Sequence, residues 1–545
     1  MYRILAVFTL LFISSILLSQ TVIIKGTLLG ADGNPLPAAH VHMVSNLPGV
    51  QQDISRTEVT PRGTFLLKFD SPALVRLKFT GVNHYPLEVP FLCQNTDTIN
   101  VSIKLKAYDV IDPVENVYVI GDFNNFEMSD DGQPMTPQQD GMFAGTVNAV
   151  ADDTLGFQIM GLEKSGLPYA STISEKYVYD GNNAYRSVIR TQGGATQVSF
   201  DPSAILRVDA EAAVKFQNEK SIAARFYAIN NNIIARQNRF QKAYNEFTAT
   251  GKPANEFKYD WSKDIAAAKK GRQTETDSTM KHLWLLAGIE FNGMSKDTLL
   301  AGTALSTIPA TSPLWSYNRD LLALCYESVK NKQKYSSNIV KIINENGDMQ
   351  LKPLWITQLL DMANVAQDKQ TMFALYQKLY DDFDNTEWLK KAQLILERNA
   401  SVKTGDTLPH FSLTTLDDSS VVDNKRIAGE YWIIQFWATW NNSSVKELDN
   451  LTQVYDKYKD KGLNILGISL DKSVSIVNSF RKNKVAMPWV NSIAEKGILS
   501  DIAQQFEVMA LPKTILIGKA GKIIAVGSDL KGKKLVETVE NTLGK

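Results

Sequence analysis

The run Trp432 to Trp437, followed by Ala438-Thr439-Trp440, delivers Asn441-Asn442-Ser443-Ser444 to the start of an amphipathic helix. The apolar face of that helix reads Val445, Leu448, Leu451, Tyr455 and Tyr458. A side chain at a helix start meets unpaired backbone N–H groups and the positive end of the helix dipole, a setting that activates a nucleophile. None of these four residues carries a thiol. An amide does not become a nucleophile, and a serine becomes one only beside a base that a third group orients. His410 is the only histidine beyond residue 400, and nothing in the local sequence ties it to Ser443 or Ser444. Asn and Ser are preferred helix caps, so capping rather than catalysis is the expected role of this turn.

Two other groups of residues could do chemistry. His40 and His42 alternate with Val41, so on a strand both rings share one face. Such a pair can begin a metal site, but without a third ligand nearby in sequence a solvated strand face is expected and no metal is assigned. Cys93 and Cys325 are the only cysteines and fall in segments assigned to different domains. Cys325 lies on a helical apolar face with Leu321, Leu324 and Val329, where a cysteine acts as a small hydrophobe. Two structural thiols are expected rather than a disulfide. No cofactor motif is found.

These residues are spread over a chain of 545 amino acids, a length that calls for about three to five domains. Hydrophobic residues make up 44% and charged residues 21%, the balance of an ordinary globular protein. Acidic and basic residues number 58 each, so no global field draws in nucleic acid. At the start, Arg3 precedes a mainly apolar run from Ile4 to Leu18, then Ser19 and Gln20, which reads as a secretory signal peptide over residues 1–19. The run holds no cysteine for lipidation, and no later segment is long and apolar enough to span a bilayer, so a soluble exported protein is expected.

The pattern then changes three times. Residues 20–107 read as strands separated by turn signals such as Ala31-Asp32-Gly33-Asn34-Pro35. GTLLGADGNPLPAAHVHMVS, RGTFLLKF and INVSIKLKA, in that order, resemble the carboxypeptidase regulatory-like domain, a small β-sandwich used as a spacer or interaction module. Residues 108–200 form a second β region. There NVYVIGDFNNFE, DGMFAGTV, GFQIMG and NNAYRSVI resemble the early-set, glycogen-binding type of domain, again a β-sandwich. That resemblance implies a sugar face, for which Phe126 and Tyr185 could supply flat rings and Asn183 an amide, although the segment has no tryptophan. Residues 201–400 switch to helical periodicity, with Met372, Leu375, Tyr376, Leu379 and Phe383 forming one apolar stripe.

From residue 401 onward strands alternate with helices, implying a central sheet covered by helices. GDTLPHFSL, EYWIIQFWATW, ILGISLD and FEVMALPKTILIGKAGKII resemble the TlpA-like thioredoxin family, with the redoxin grouping close by, and the resemblance covers essentially all of residues 402–545. It implies a thioredoxin-like fold with a cis peptide bond before Pro512, which leaves backbone beside the site where an extended substrate can pair. It also places the family's dithiol, WATWCxxC, where this chain reads WATWNNSS. Asn441 stands at the first cysteine position and Ser444 at the second.

The expected whole is multidomain: two N-terminal β-sandwich domains, a helical middle region and a C-terminal α/β thioredoxin-like domain. The expected function is that of a non-catalytic binding or scaffold protein. Its groove, formed by Trp437, Trp440, Asn441, Asn442, Leu511 and Pro512, would take an extended peptide or a loop of an envelope protein. A thiol–disulfide oxidoreductase by family inheritance and a glycan-binding protein are the alternatives. The modular order resembles exported proteins of Bacteroidetes-type bacteria. Asp97-Thr98-Ile99, Asp153-Thr154-Leu155 and Asp406-Thr407-Leu408 resemble O-glycosylation sites of such organisms. The periplasm is the expected destination, with secretion or surface exposure next.

Overall fold

The structure, a computed structural model, describes residues 21–45, 53–70, 74–93, 98–127, 132–149, 154–291, 298–383, 386–396 and 402–544. The expected signal peptide, and Asp97 and Asp153 of two triplets, lie outside the described residues. The chain divides into two compact units, residues 1–264 with 270–284 and residues 265–269 with 285–545.

The first unit begins with β1 (Thr21–Leu29), β2 (Ala39–Val44), β3 (Asp53–Glu58), β4 (Thr64–Asp70), β5 (Leu74–Gly81), β6 (Leu87–Leu92) and β7 (Thr98–Lys104). Seven more strands follow: β8 (Val117–Gly121), β9 (Gln133–Pro137), β10 (Phe143–Ala149), β11 (Thr154–Met160), β12 (Lys176–Tyr179), β13 (Tyr185–Arg190) and β14 (Gly194–Phe200). β15 (Ala213–Phe216) is the last strand of this unit. Two four-stranded sheets, β15-β7-β1-β4 and β3-β2-β5-β6, enclose a shared core containing Val22, Ile24, Val41, Leu77, Phe79 and Phe91. The alternating burial along β1 and β7 is what a strand with one face on that core must show. β15 pairs with β7 and sends Val214 and Phe216 to the same core. The helical stretch therefore starts at Ile222, not at 201 as its periodicity suggested, because residues 213–216 complete a sheet. β8 to β14 form their own sheet, ordered β12-β13-β11-β8-β9-β10-β14, around Val119, Phe157, Ile159 and Phe200.

The helices are α1 (Ile222–Thr248), α2 (Ser262–Thr274), α3 (Ser278–Phe291), α4 (Thr298–Thr307), α5 (Leu321–Ser328), α6 (Lys332–Glu345), α7 (Lys352–Val365), α8 (Lys369–Asp382) and α9 (Glu387–Leu396). In the second unit α8 packs on α6, α7 and α9, with Leu375 and Leu379 fully buried. Asp368 fixes the start of α8. Its carboxylate accepts hydrogen bonds from the Thr371 N–H (3.2 Å), the Thr371 hydroxyl (2.8 Å) and the Ser336 hydroxyl (2.5 Å).

The C-terminal part of this unit comprises β16 (Ser412–Thr414), β17 (Val421–Asp423), β18 (Tyr431–Trp437), α10 (Asn442–Tyr458), β19 (Leu463–Ser469), α11 (Val474–Asn483) and β20 (Val490–Ile493). It continues with α12 (Asp501–Gln505), β21 (Lys513–Ile517), β22 (Ile523–Val526) and α13 (Lys533–Leu543). The central sheet is ordered β20-β19-β18-β21-β22, with β18, β19 and β20 parallel and β21 antiparallel to β18. β18 is buried on both faces. Ile434 and Phe436 enter a core with Phe411, Phe506 and Leu511, while Ile433 and Trp437 enter another with Leu448, Leu451 and Val539. A strand covered on both sides has no solvent-facing polar side, which is why YWIIQFW reads as an apolar run interrupted only by the buried Gln435.

Candidate functional site

The site lies where β18 ends and α10 begins. Asp471, buried just after β19, holds the connecting turn. Its carboxylate accepts hydrogen bonds from the Thr439 N–H (3.0 Å), the Thr439 hydroxyl (2.7 Å) and the Ser469 hydroxyl (2.7 Å). Asn441 is the residue before the helix, with extended backbone, and its side-chain oxygen accepts the Ser444 N–H at 2.7 Å. Its amide is thus committed to the cap. Ser444 is fully buried, and its hydroxyl has no partner among the described residues. Ser443 donates its hydroxyl to Asp381 Oδ1 at 2.8 Å. Further along the helix, Glu447 accepts the Gly532 N–H with both carboxylate oxygens at 3.0 Å.

The bond between Leu511 and Pro512 is cis. The backbone of Leu511 is engaged on both sides by one side chain from α8. Gln377 Oε1 accepts the Leu511 N–H at 2.5 Å, and Gln377 Nε2 donates to the Leu511 carbonyl at 2.9 Å. Gln377 Nε2 also donates to Asp381 Oδ2 at 3.0 Å. Around this centre Phe373 enters the core that contains Leu511 and Phe506. Lys369 donates to Gln504 Oε1 at 2.8 Å, and the Lys531 ammonium sits 3.9 Å from the centre of the Tyr380 ring. Lys369, Phe373, Gln377 and Asp381 recur every four residues, so they form one row on α8, offset from the Leu375–Leu379 stripe.

The six expected groove residues therefore divide. Asn441, Leu511 and Pro512 are buried, and Trp437 points into the sheet core with its ring 5.4 Å from Phe480. Trp440 (56% exposed) and Asn442 face solvent. Trp437 does not line a groove, because alternation along β18 turns it into the core beneath α10. Sequence reasoning missed Gln377 and Asp381. The available signal was that α8 carries Phe373 and Tyr380 outside its main apolar stripe, more apolar surface than a one-sided helix needs.

In the first unit, His40 and His42 do share one strand face, but that face is not solvated. His42 is completely buried; its Nδ1 lies 2.6 Å from Asp53 Oδ2 and its Nε2 2.9 Å from Thr80 Oγ1. Thr80 Oγ1 lies 3.0 Å from the Tyr185 hydroxyl, which lies 2.9 Å from His40 Nδ1. The β12–β13 hairpin covers the histidines with the rings of Tyr179 and Tyr185. Burial pulls the His42 pKa down to about 4, the hydrogen bond to Asp53 opposing it, and burial also lowers that of His40. Among the described residues, no group of three or more His, Cys, Asp or Glu could hold a metal ion.

The same contacts correct the sugar face. Tyr185 is 2% exposed and its hydroxyl is already bonded, so its ring is not offered to a ligand. The Phe126 ring is half-buried and stacks with the Arg186 guanidinium, 3.9 Å from its centre. Asn183 is a left-handed turn residue whose N–H donates to the Tyr179 hydroxyl. Cys93 and Cys325 are both buried and in no disulfide, and burial pushes the Cys325 thiol up to about 12.

Residues 404–526 match the AhpC/TSA family. The C-terminal part of the chain is a thioredoxin-like redoxin domain, related to thiol–disulfide oxidoreductases. It is 28% identical over 149 residues to the thiol-disulfide oxidoreductase ResA of Bacillus thuringiensis subsp. konkukian, a match covering 27% of this chain and 81% of that protein. A solved thiol-disulfide oxidoreductase from Bacteroides fragilis is 27% identical, with 25% of this chain and 100% of that chain covered and a TM-score of 0.23. The solved thioredoxin domain of a thiol-disulfide oxidoreductase from Bacteroides vulgatus is 26% identical, covering 26% of this chain and 99% of that one, with a TM-score of 0.24. No helix among the described residues is long and apolar enough to cross a membrane.

Proposed function

We propose that this is an exported, non-catalytic thioredoxin-fold protein whose C-terminal domain serves as a binding or scaffold module in a bacterial cell envelope, in the periplasm. The observation that carries the reading is the turn at residues 441–444. Dithiol exchange needs a thiolate attacking and a second sulfur resolving the mixed disulfide. Residues 402–545 contain no cysteine, and the amide at the first cysteine position of the resemblance is bound into the helix cap. A serine-based replacement lacks its base: Ser443 donates to a carboxylate and Ser444 is sealed from solvent. The two upstream β regions, resembling carboxypeptidase regulatory-like and early-set domains, serve as spacer or interaction modules. Tyr185, once buried, gives no support to a glycan site.

Insulin reduction by the full chain, with dithiothreitol or a thioredoxin-like electron donor, tests the reading. No turnover above the donor-only rate is expected. Turnover that disappears in Cys325→Ser would overturn it.

A further inference from the structure

Resting on this non-catalytic reading, we infer that the backbone beside Pro512 already has its partner, and that the partner is helix α8 of the same chain. An extended peptide pairs with a strand or loop by accepting one N–H and donating to one carbonyl of the same residue. The Gln377 side chain reproduces that pattern on Leu511, accepting its N–H at 2.5 Å and donating to its carbonyl at 2.9 Å. One amide thus does what a substrate backbone would do, and leaves Leu511 with neither group to offer a second chain. The neighbouring contacts extend along the same row of α8. Asp381 takes the Ser443 hydroxyl at the start of α10, where a negative charge also suits the helix dipole. Phe373 fills the apolar side next to Leu511, and Lys369 reaches α12. Two turns of helix therefore bridge the Leu511–Pro512 loop and the helix start, the two elements an extended ligand would have to touch together.

The occupant has a definable chemistry. It is a helix with an aromatic residue, a glutamine and an aspartate at four-residue intervals, packed also on α6, α7 and α9. A peptide from another protein meets a closed site until α8 lifts. The exposed Trp440 is left outside this contact.

Asn441→Cys in the full chain adds a reporter thiol to the buried Cys93 and Cys325, two residues before the Ser443 that Asp381 holds and at a position now 5% exposed. Its rate of reaction with a water-soluble maleimide, under native conditions, reads how often α8 lifts. Adding Gln377→Ala and Asp381→Ala is expected to raise that rate about tenfold or more, as removal of the two buried Gln377–Leu511 hydrogen bonds and the exposed Asp381–Ser443 one shifts a local opening equilibrium. Equal rates with and without the two α8 substitutions would overturn the inference. Gln377→Glu, which keeps the size but cannot donate to the Leu511 carbonyl, is expected to give a smaller increase. Hydrogen exchange of Gln377→Ala/Asp381→Ala in the natural Asn441 background covers the case in which the reporter fails to fold. Protection is expected to fall together in residues 369–382, 438–444 and 508–513. A fall confined to 369–382 would also overturn the inference. Insulin turnover by the unmodified chain bears on the non-catalytic reading and leaves these rates unchanged, so the two failures are distinguishable.

Discussion

The histidine patch of the first unit and the Asn441 turn of the second invite the same first reading, that polar side chains gathered at one place do chemistry. The structure treats the two sets of side chains differently. In the patch the residue types are competent: Asp53, His42 and Thr80 form an unbroken row of short contacts. What is missing is access, since Tyr179 and Tyr185 close over the rings and keep them neutral. At the turn Asp471 holds the loop and Asn441 caps the helix N-terminus, and residues 441–444 carry no thiol. Opening the tyrosine cover would expose the histidine rings to water, whereas no movement of α8 changes the residue types at the turn.

The sharpest way to break this comparison is to remove the cover of the patch. Tyr185→Ala deletes a fully buried ring, removes the hydroxyl that contacts His40 and leaves Thr80 only its contact with His42, and is expected to destabilise the first unit by about 3–5 kcal/mol. Urea unfolding with hydrogen-exchange readout of residues 39–44 and 74–81 measures it; a loss below about 1 kcal/mol would mean that the tyrosine only rests on the patch.

Acid titration comes next in size. The folded-state pKa of His42, about 4, is below that of an unfolded histidine, about 6.5, so the unfolded chain binds more protons between these values. Stability from this group is complete above pH 6.5 and declines as the pH falls towards 4, by up to about 3 kcal/mol. His40 shifts in the same direction. Denaturant midpoints of the first unit at pH 7 and pH 4.5, for the natural chain and His42→Gln, give the contribution. An unchanged slope in the variant would show that other groups drive it.

The smallest effect belongs to the turn. Asn441→Ala removes the cap bond to the Ser444 N–H and is expected to cost the second unit about 1 kcal/mol. Asn441→Asp is expected to retain most of the stability, because a carboxylate caps equally well. If alanine is neutral, the amide is a bystander, and the contrast with the patch loses its structural half.

Much of the C-terminal domain was legible because its signals are local. The apolar run of β18, the Val445–Tyr458 stripe of α10 and the hairpin of β21 and β22 each follow from periodicity and turn residues within a few positions. The absence of thiols is likewise a property of residue type alone. The boundary at residue 201 was misplaced because β15 is four residues long and gains its partner, β7, from more than a hundred positions earlier. Pairing at that separation leaves no periodic trace.

The amino-acid sequence settled what the protein has to work with: two cysteines, both outside the redoxin domain, and an Asn-Asn-Ser-Ser turn at a helix start. It also settled that His40 and His42 share a face, because strand alternation is fixed by backbone geometry. Folding over long distances settled what surrounds those residues. Tyr185 reaches His40 across 145 positions and Gln377 reaches Leu511 across 134. Burial and hydrogen-bond partnership depend on which distant segment arrives to exclude water, and no window of sequence around either site contains that segment.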